Sequence, residues 1–145
     1  MQHLYVPKDI RGEVGIALTE EVRAMPPGSL IVHVDCNNGD ASCWDLAEAI
    51  IAHEGATTAV IGDEAKSAGL IVACACDHRA CHTHTQFLYH GFVGQEEANR
   101  KKAVWFAART GRAEAGWYAM AETGELREFN SDEARCWGII HEVIH

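Results

Sequence analysis

The sequence has few basic residues and no long apolar run. Its 12 lysines and arginines stand against 21 aspartates and glutamates, so the formal net charge is −9. We therefore expect no nucleic-acid partner, because phosphate binding needs clustered Lys and Arg side chains. No apolar stretch approaches the roughly 20 residues that a transmembrane helix requires, so we expect no membrane partner either.

The sequence also lacks targeting and nucleotide-binding signals. The N-terminus, MQHLYVPKDIRGE, has neither the basic region nor the apolar stretch of a signal peptide. We therefore expect a cytoplasmic chain, in which the six cysteines are reduced thiols and serve mainly as small apolar residues. No GxxxxGK[ST] motif occurs, so we expect no ATP site and no other cofactor in this chain.

The 145 residues show no internal repeat and no low-complexity segment, which suits a single domain over residues 1–145. Patterns rich in β-branched residues predict strands, and periodic apolar patterns predict helices between them. The predicted strands are LYVP, SLIVHVD, ATTAVIG, THTQFLYHG and the short ELREF. The predicted helices include DASCWDLAEAIIAHEG, SAGLIVACACDHRA and SDEARCWG, with a longer helical region from Glu96 that is broken near Gly111. Strands alternating with helices predict an α/β fold.

Three cysteines and four histidines lie in one short segment, CACDHRACHTHTQFLYH. A metal site is one interpretation, since His82 and His84 would share a strand face. However, Cys74 and Cys76 are spaced CxC within a predicted helix, where side chains two residues apart point in different directions. Structural zinc sites usually use CxxC pairs instead. We therefore favour a buried helix with cysteine as filler and expect no metal.

The segment GDEAKSAGLIVACACD places Ser67 at a junction between a predicted strand and a predicted helix. Small neighbours, among them Ala65, Ala68 and Gly69, would let a substrate backbone come close. The backbone N–H groups after Ser67 would be the free donors of a helix start. Ser67 fits either a helix N-cap or an exposed nucleophile, and the local sequence alone favours the N-cap.

Four segments follow one another in the order VDCNNGD, GDEAKSAGLIVACACD, TQFLYHG and FNSDEARCWG. In this order they resemble the proteolytic subunit of Clp protease. That family has a glycine turn after a strand, a serine in a small-residue turn, a strand ending in histidine, and a Phe-x-Ser-x-x-Glu-Ala segment before a glycine. The resemblance covers nearly the whole chain and is to a short or phage-type member. It implies the α/β superhelix of β-β-α units shared with crotonases, with a shortened helical handle at about residues 95–123.

The resemblance also implies a serine endopeptidase that forms an acyl-enzyme on Ser67, with His90 as the general base. A serine hydroxyl is a weak nucleophile until an imidazole accepts its proton. The oxyanion hole would consist of backbone N–H groups from Asn38 or Gly39 and from Ala68. The family's Gly-Gly is Asn-Gly here, and asparagine tolerates positive φ better than most residues.

The acid of the catalytic triad is open, because the family's aspartate position holds Arg127. On a strand Glu125 would point to the same side as Arg127, so we prefer Glu125 and place Glu128 second. A Ser–His dyad, with His90 oriented by a backbone carbonyl or water, is a further possibility. A dyad of Ser67 with Lys66 is less favoured, because the side chains of adjacent residues diverge.

The long helical region carries two side-chain groups with different expected roles. The basic cluster RKK at 100–102 predicts a solvated helix face. The aromatic side chains predict internal packing first and an oligomer contact second; they are Trp105, Phe106, Trp117 and Tyr118.

The resemblance implies a peptide or unfolded-protein substrate, a homo-oligomer such as a ring, and a separate ATPase as a possible partner. Two other functions compete with a peptidase. One is a catalytically degenerate Clp-like scaffold or regulatory subunit, which the missing aspartate favours. The other, less favoured, is an acyl-coenzyme A enzyme of the crotonase type.

Overall fold

The computed structural model describes all residues, 1–145, as seven strands and six helices. The strands are β1 (Gln2–Val6), β2 (Leu30–Cys36), β3 (Thr57–Lys66), β4 (His78–His82), β5 (Gln86–Tyr89), β6 (Arg127–Phe129) and β7 (Glu142–Ile144). The helices are α1 (Glu13–Arg23), α2 (Ser42–Ala52), α3 (Ala68–Cys74), α4 (Glu96–Thr110), α5 (Glu114–Glu122) and α6 (Ser131–Cys136). None of the helices combines the length and apolar character needed to cross a membrane.

All seven strands belong to one sheet, and β3 joins its two parts. Parallel pairing connects β1, β2, β3, β4 and β7 in that order. The first half of β3 pairs with β4, whereas Glu64 to Lys66 pair with Gln86 to Leu88 of β5. Strand β6 then runs antiparallel to β5. Because β3 and β5 are parallel neighbours, the residues that follow their carboxyl ends lie side by side.

Alternating side chains on the central strands build the core. In β2 every second residue is buried, from Leu30 to Cys36, as expected for a strand with one face against helices. The same alternation continues through β3. Helix α3 is buried along its whole length, because it packs on β2, β3 and β5. This arrangement fixes the start of α3 at the end of β3.

The sheet contains strands that the sequence patterns did not predict. The predicted helix SAGLIVACACDHRA ends at Cys74, and its last residues belong to β4. Strand β3 continues to Lys66 through residues expected to form a turn, and β7 was not predicted at all. The apolar run of α3 has no Gly or Pro at its end, so its boundary carries no local signal.

Arg79, a charged residue in β4, explains why β4 does not resemble a buried strand. Its guanidinium is buried and donates to five carbonyl groups without any carboxylate partner. The acceptors are the carbonyls of Cys74, Cys76, Arg109, Gly138 and Ile139. Arg79 therefore ties the carboxyl ends of α3 and α4 together. Both helices contribute residues to the wall of a cavity beside Ser67.

The handle-like region is a pair of helices rather than one long helix. Gly111 ends α4 in the left-handed conformation, with φ of 75°, and α5 returns to pack on α4. Phe106 and Trp117 are fully buried within the chain, whereas Trp105 and Tyr118 are only partly buried. Internal packing is thus confirmed for the two central aromatic side chains.

Candidate active site

Ser67 has the only positive φ among the non-glycine residues, with φ of 55° and ψ of −114°. A side chain in this region costs about 1–3 kcal/mol and persists only where surrounding bonds impose it. Here the Ser67 N–H donates to Leu88, and its carbonyl accepts from Leu70 and Ile71. Its side chain forms no cap bond to α3, which leaves the N-cap interpretation without support. The sharp turn instead presents the hydroxyl outward.

His90 is the hydrogen-bond partner of that hydroxyl. It directly follows β5, the parallel neighbour of β3, and its Nε2 lies 3.0 Å from Ser67 Oγ. Its Nδ1 lies 3.3 Å from the carbonyl oxygen of Gly91, which can only accept. A proton on Nδ1 donates to this carbonyl and leaves Nε2 as an acceptor for the Ser67 proton. The structure thus brings the two expected residues together in the orientation that proton transfer requires.

The surroundings of His90 keep its imidazole neutral. Burial and the nearby positive charge of Lys102 lower the pKa of His90, and the bond to the Gly91 carbonyl only partly opposes this shift. A lowered pKa means that the imidazole stays unprotonated at neutral pH. A neutral imidazole is the form that can accept a proton from serine.

The structure does not bring a carboxylate to His90. Glu125 is exposed in the loop before β6, where its N–H donates to Thr123. The expected strand geometry fails there because β6 begins only at Arg127. Glu128 is exposed on β6 opposite Leu88, and neither glutamate bonds to His90. The arrangement is that of a Ser–His dyad whose imidazole is oriented by a backbone carbonyl.

Two residues that line the same cavity as Ser67 have backbone N–H groups that are available to act as oxyanion donors. Gly39 has no acceptor for its N–H within the protein, and Ala68 is the first residue of α3, where helix amides lack intrahelical acceptors. Both residues lie in the cavity wall together with Ser67 and His90. Asn38 is excluded as a donor, because its N–H already donates to Lys8 at 3.1 Å. Of the two expected alternatives, only Gly39 has an N–H group without an acceptor in the protein.

A glycine is needed at position 39, because residue 39 lies close to Ala68. We therefore expect Gly39→Ala to lower kcat/KM by about 10²–10³-fold. An added Cβ would lie 2.5 Å from the methyl of Ala68 and 3.0 Å from Ile10, so the two donors must separate. The matched control is Gly62→Ala in β3, where the nearest atom would be at 3.4 Å. The two variants are compared by their steady-state rates of hydrolysis of a chromogenic peptide. Equal rates for both variants would remove Gly39 from the oxyanion hole.

The loop that carries Gly39 is fixed by Asp40. Its carboxylate accepts from the N–H of Gly12 at 2.7 Å and from the N–H and hydroxyl of Ser42. These bonds lower the pKa of Asp40 and connect the starts of α1 and α2. The N–H of Gly39 is therefore held in place by a neighbouring residue that the sequence did not single out.

A cavity of about 850 Å³ opens beside Ser67 and His90. Its walls are mainly apolar and come from α2, α3, α4 and the loop after β5; they include Trp44, Ile71, Phe92 and Trp105. Trp44 and Trp105 meet edge to face at 5.2 Å between ring centroids. A side chain next to a scissile bond at Ser67 would enter this space.

Lys102 also lies in the cavity wall, which corrects the expectation of a solvated basic cluster. Arg100 and Lys101 are exposed, but Lys102 is buried. Its ammonium donates to the carbonyl oxygen of His90 at 2.6 Å. The buried side of α4 consists of Asn99, Lys102, Ala103 and Phe106. This spacing of i, i+3, i+4 and i+7 is the helical signal that could have identified Lys102.

The side chains expected to form a Ser67–Lys66 dyad or a metal site do not make the contacts that these sites would require. Lys66 donates to Gln86 at 3.2 Å and lies 3.9 Å from Glu64, and it makes no bond to Ser67. Cys74 and Cys76 are buried in the core, and no three His, Cys, Asp or Glu side chains in the chain are arranged to hold a metal ion. His84 instead bonds to Asp63 at 2.9 Å.

A largely parallel sheet flanked by helices, with Ser67 and His90 after neighbouring strands, gives this chain an α/β fold that can be compared with solved structures. The chain matches ClpP1 from Listeria monocytogenes with a TM-score of 0.86 at 15% identity, covering 99% of this chain and 91% of that one. The N165D mutant of ClpP1 from the same organism gives a TM-score of 0.87 at 14% identity, with the same coverage. No family model and no curated protein sequence matches this chain. The structural likeness confirms the predicted fold.

Proposed function

We propose that the protein is a Clp-type serine endopeptidase that hydrolyses peptide bonds through an acyl-enzyme on Ser67. The observation that carries this proposal is the 3.0 Å contact between Ser67 Oγ and His90 Nε2. Three further features support it: the strained backbone of Ser67, the unused N–H of Gly39, and the adjoining cavity. Strained residues and convergent polar groups beside one cavity are characteristic of catalytic sites.

The reaction follows from the protonation states of these groups. Ser67 Oγ attacks the carbonyl carbon of the peptide while its proton passes to His90 Nε2. The N–H groups of Gly39 and Ala68 bind the negative oxygen of the tetrahedral intermediate. His90 then gives the proton to the leaving amine, and the C–N bond breaks to leave an ester on Ser67. A water molecule, deprotonated by His90, attacks the ester carbonyl; the C–O bond to Ser67 then breaks, His90 returns the proton to Ser67 Oγ, and the carboxylic acid product leaves.

The absence of a carboxylate at His90 favours one competing function, a catalytically degenerate Clp-like scaffold or regulatory subunit. In serine proteases the acid fixes the tautomer of the histidine and stabilises the imidazolium. The Gly91 carbonyl can supply the first of these effects, because it accepts from Nδ1. It stabilises the imidazolium less than a carboxylate would, since a carbonyl has no full negative charge. We therefore rank the peptidase function above the scaffold function and expect its turnover to be slow.

We further propose that the chain forms a homo-oligomer, such as a ring, and that a separate ATPase delivers unfolded protein to it. The exposed apolar side chains of Phe92, Val93 and Leu126 support association, with Val93 77% exposed. The proposal also agrees with a cytoplasmic location, where the free cysteines of this chain would stay reduced.

The test of the proposed function is labelling with a serine-reactive fluorophosphonate, followed by intact mass spectrometry and peptide mapping. We expect one adduct per native chain, located on Ser67, because only this serine is paired with an imidazole. Protein unfolded in urea should give no adduct, since activation depends on the fold. A native, assembled protein without an adduct would favour the scaffold function.

A further inference from the structure

The cavity beside Ser67 contains a buried positive charge that the proposed reaction does not use. Lys102 is 8% exposed and lies in the cavity wall. An ammonium group has three donors, and the protein uses one of them, in the bond to the carbonyl oxygen of His90. None of the ion pairs in the chain includes Lys102. The charge therefore has no counterion within the protein.

The surroundings of Lys102 hold the ammonium without neutralising it. Its Nζ lies 5.0 Å from the ring centroid of Tyr89 and 5.6 Å from that of Phe92, so two aromatic faces contact the cation. Burial lowers the pKa of Lys102 to about 8, while neighbouring Cys43 has the opposite effect. The amine is thus largely charged at neutral pH. A buried charge without a partner is unfavourable, and an anion that enters the cavity would relieve this cost.

The other charged side chains at the cavity already have partners. The carboxylate of Asp40 is bonded to Gly12 and Ser42, as described above. Lys101 is exposed, and its ammonium lies 3.3 Å from Glu97. Asp40 also has no ion pair, but its carboxylate accepts three hydrogen bonds, whereas the ammonium of Lys102 makes only one.

On the basis of the proposed function, we propose that this cavity receives an acidic substrate side chain and that Lys102 is its specificity-determining residue. The carboxylate of a glutamate on the acyl side of the scissile bond would pair with the Lys102 ammonium. Its methylene groups would contact the apolar wall formed by Trp44 and Ile71. An ionic hydrogen bond in a partly dry site is stronger than a neutral one, so glutamate should be preferred over glutamine.

The test uses blocked peptides, acetyl-Ala-Ala-Xaa-Ala-amide, in which Xaa is Glu, Gln or Leu and is the only large side chain. We expect the wild-type kcat/KM for Glu to exceed that for Gln by about tenfold or more. Lys102→Met keeps an apolar stem of similar length and should abolish this ratio. Arg100→Met removes a positive charge from the same helix outside the cavity and should retain it. The Glu/Gln ratio cancels any general loss that follows from removing the bond to His90.

Measurements of peptide binding test the role of Lys102 independently of the proposed catalysis. The Ser67→Ala protein and its double variant with Lys102→Met are titrated with the same peptides by calorimetry. Tighter binding of the Glu peptide than the Gln peptide, lost in the double variant, supports the acidic specificity even if the fluorophosphonate test fails. Equal affinities in the Ser67→Ala protein, or equal wild-type kcat/KM values with Ser67 labelled, would overturn the role of Lys102 and leave the proposed peptidase intact.

Discussion

Replacing Ser67 by alanine is expected to lower peptide hydrolysis at least about 10⁴-fold, to the level of the oxyanion hole and binding alone. The hydroxyl is the attacking group, and no other serine in the structure is bonded to an imidazole. Alanine keeps the Cβ of serine, so the strained backbone at this position does not change. The loss should therefore appear in kcat, measured with saturating peptide, without a change in the melting temperature.

The outcome that would contradict this expectation is a Ser67→Ala protein with the rate of the wild type. A useful control is Ser131→Ala, because Ser131 is a buried serine in α6 whose hydroxyl donates to the carbonyl of Thr83. That variant should lose some stability and retain its turnover per folded molecule. Opposite behaviour of the two serines would exclude a general effect of removing a hydroxyl group.

The regular parts of the fold could be predicted because their signals are local. SLIVHVD has alternating burial as β2, and DASCWDLAEAIIAHEG contains α2 with its apolar side inward. Strand β4 could not be predicted, because its second residue, Arg79, is satisfied by carbonyls that are distant in sequence. A buried arginine among apolar neighbours has the pattern of an exposed position. Only the tertiary structure reveals the acceptors.

The candidate site likewise contains residues that local sequence patterns identify and residues whose position depends on the tertiary structure. Ser67 and Gly39 follow predicted strands and His90 lies at the end of one, and the order of these segments carried the resemblance from which their roles were inferred. The acid was inferred from strand alternation, which fails because β6 starts two residues after Glu125. Lys102 was assigned to a charged run, although its helical spacing with Phe106 places it on the buried side of α4. The expectation for the acid extended a strand beyond its first residue, and the expectation for Lys102 followed the composition of the segment instead of its helical spacing.

Besides Ser67, the Gly91 carbonyl and Lys102 contact His90, and these two groups have opposite consequences for catalysis. The Gly91 carbonyl fixes the tautomer that accepts the serine proton, as an acid would. Burial lowers the pKa of His90 and the charge of Lys102 lowers it further, whereas an acid would raise it. The imidazole is therefore well oriented and available at low pH, but it is a weaker base than in a full triad. This combination predicts modest turnover over a wide acidic range.

His90→Ala is expected to lower kcat/KM by about 10³–10⁵-fold, between the effect in a full triad and that in a triad already lacking its acid. The imidazole must be neutral to accept the Ser67 proton, so wild-type activity falls only when the pH drops below the pKa of His90. Because that pKa is lowered, the acidic limb of the wild-type profile should lie below about pH 6.5. The variant should lack this limb, since no imidazole titrates.

The pH profile of kcat/KM, measured for wild type, His90→Ala and Lys66→Ala, distinguishes the two possible bases. Lys66 bonds to Gln86 and not to Ser67, so its replacement should leave the acidic limb and the rate unchanged. If Lys66→Ala abolished activity and His90→Ala did not, the base would be the lysine. A limb that disappears with His90 alone would instead establish that a carbonyl-oriented imidazole activates the serine. In that case the missing carboxylate limits the rate of this site without preventing its chemistry.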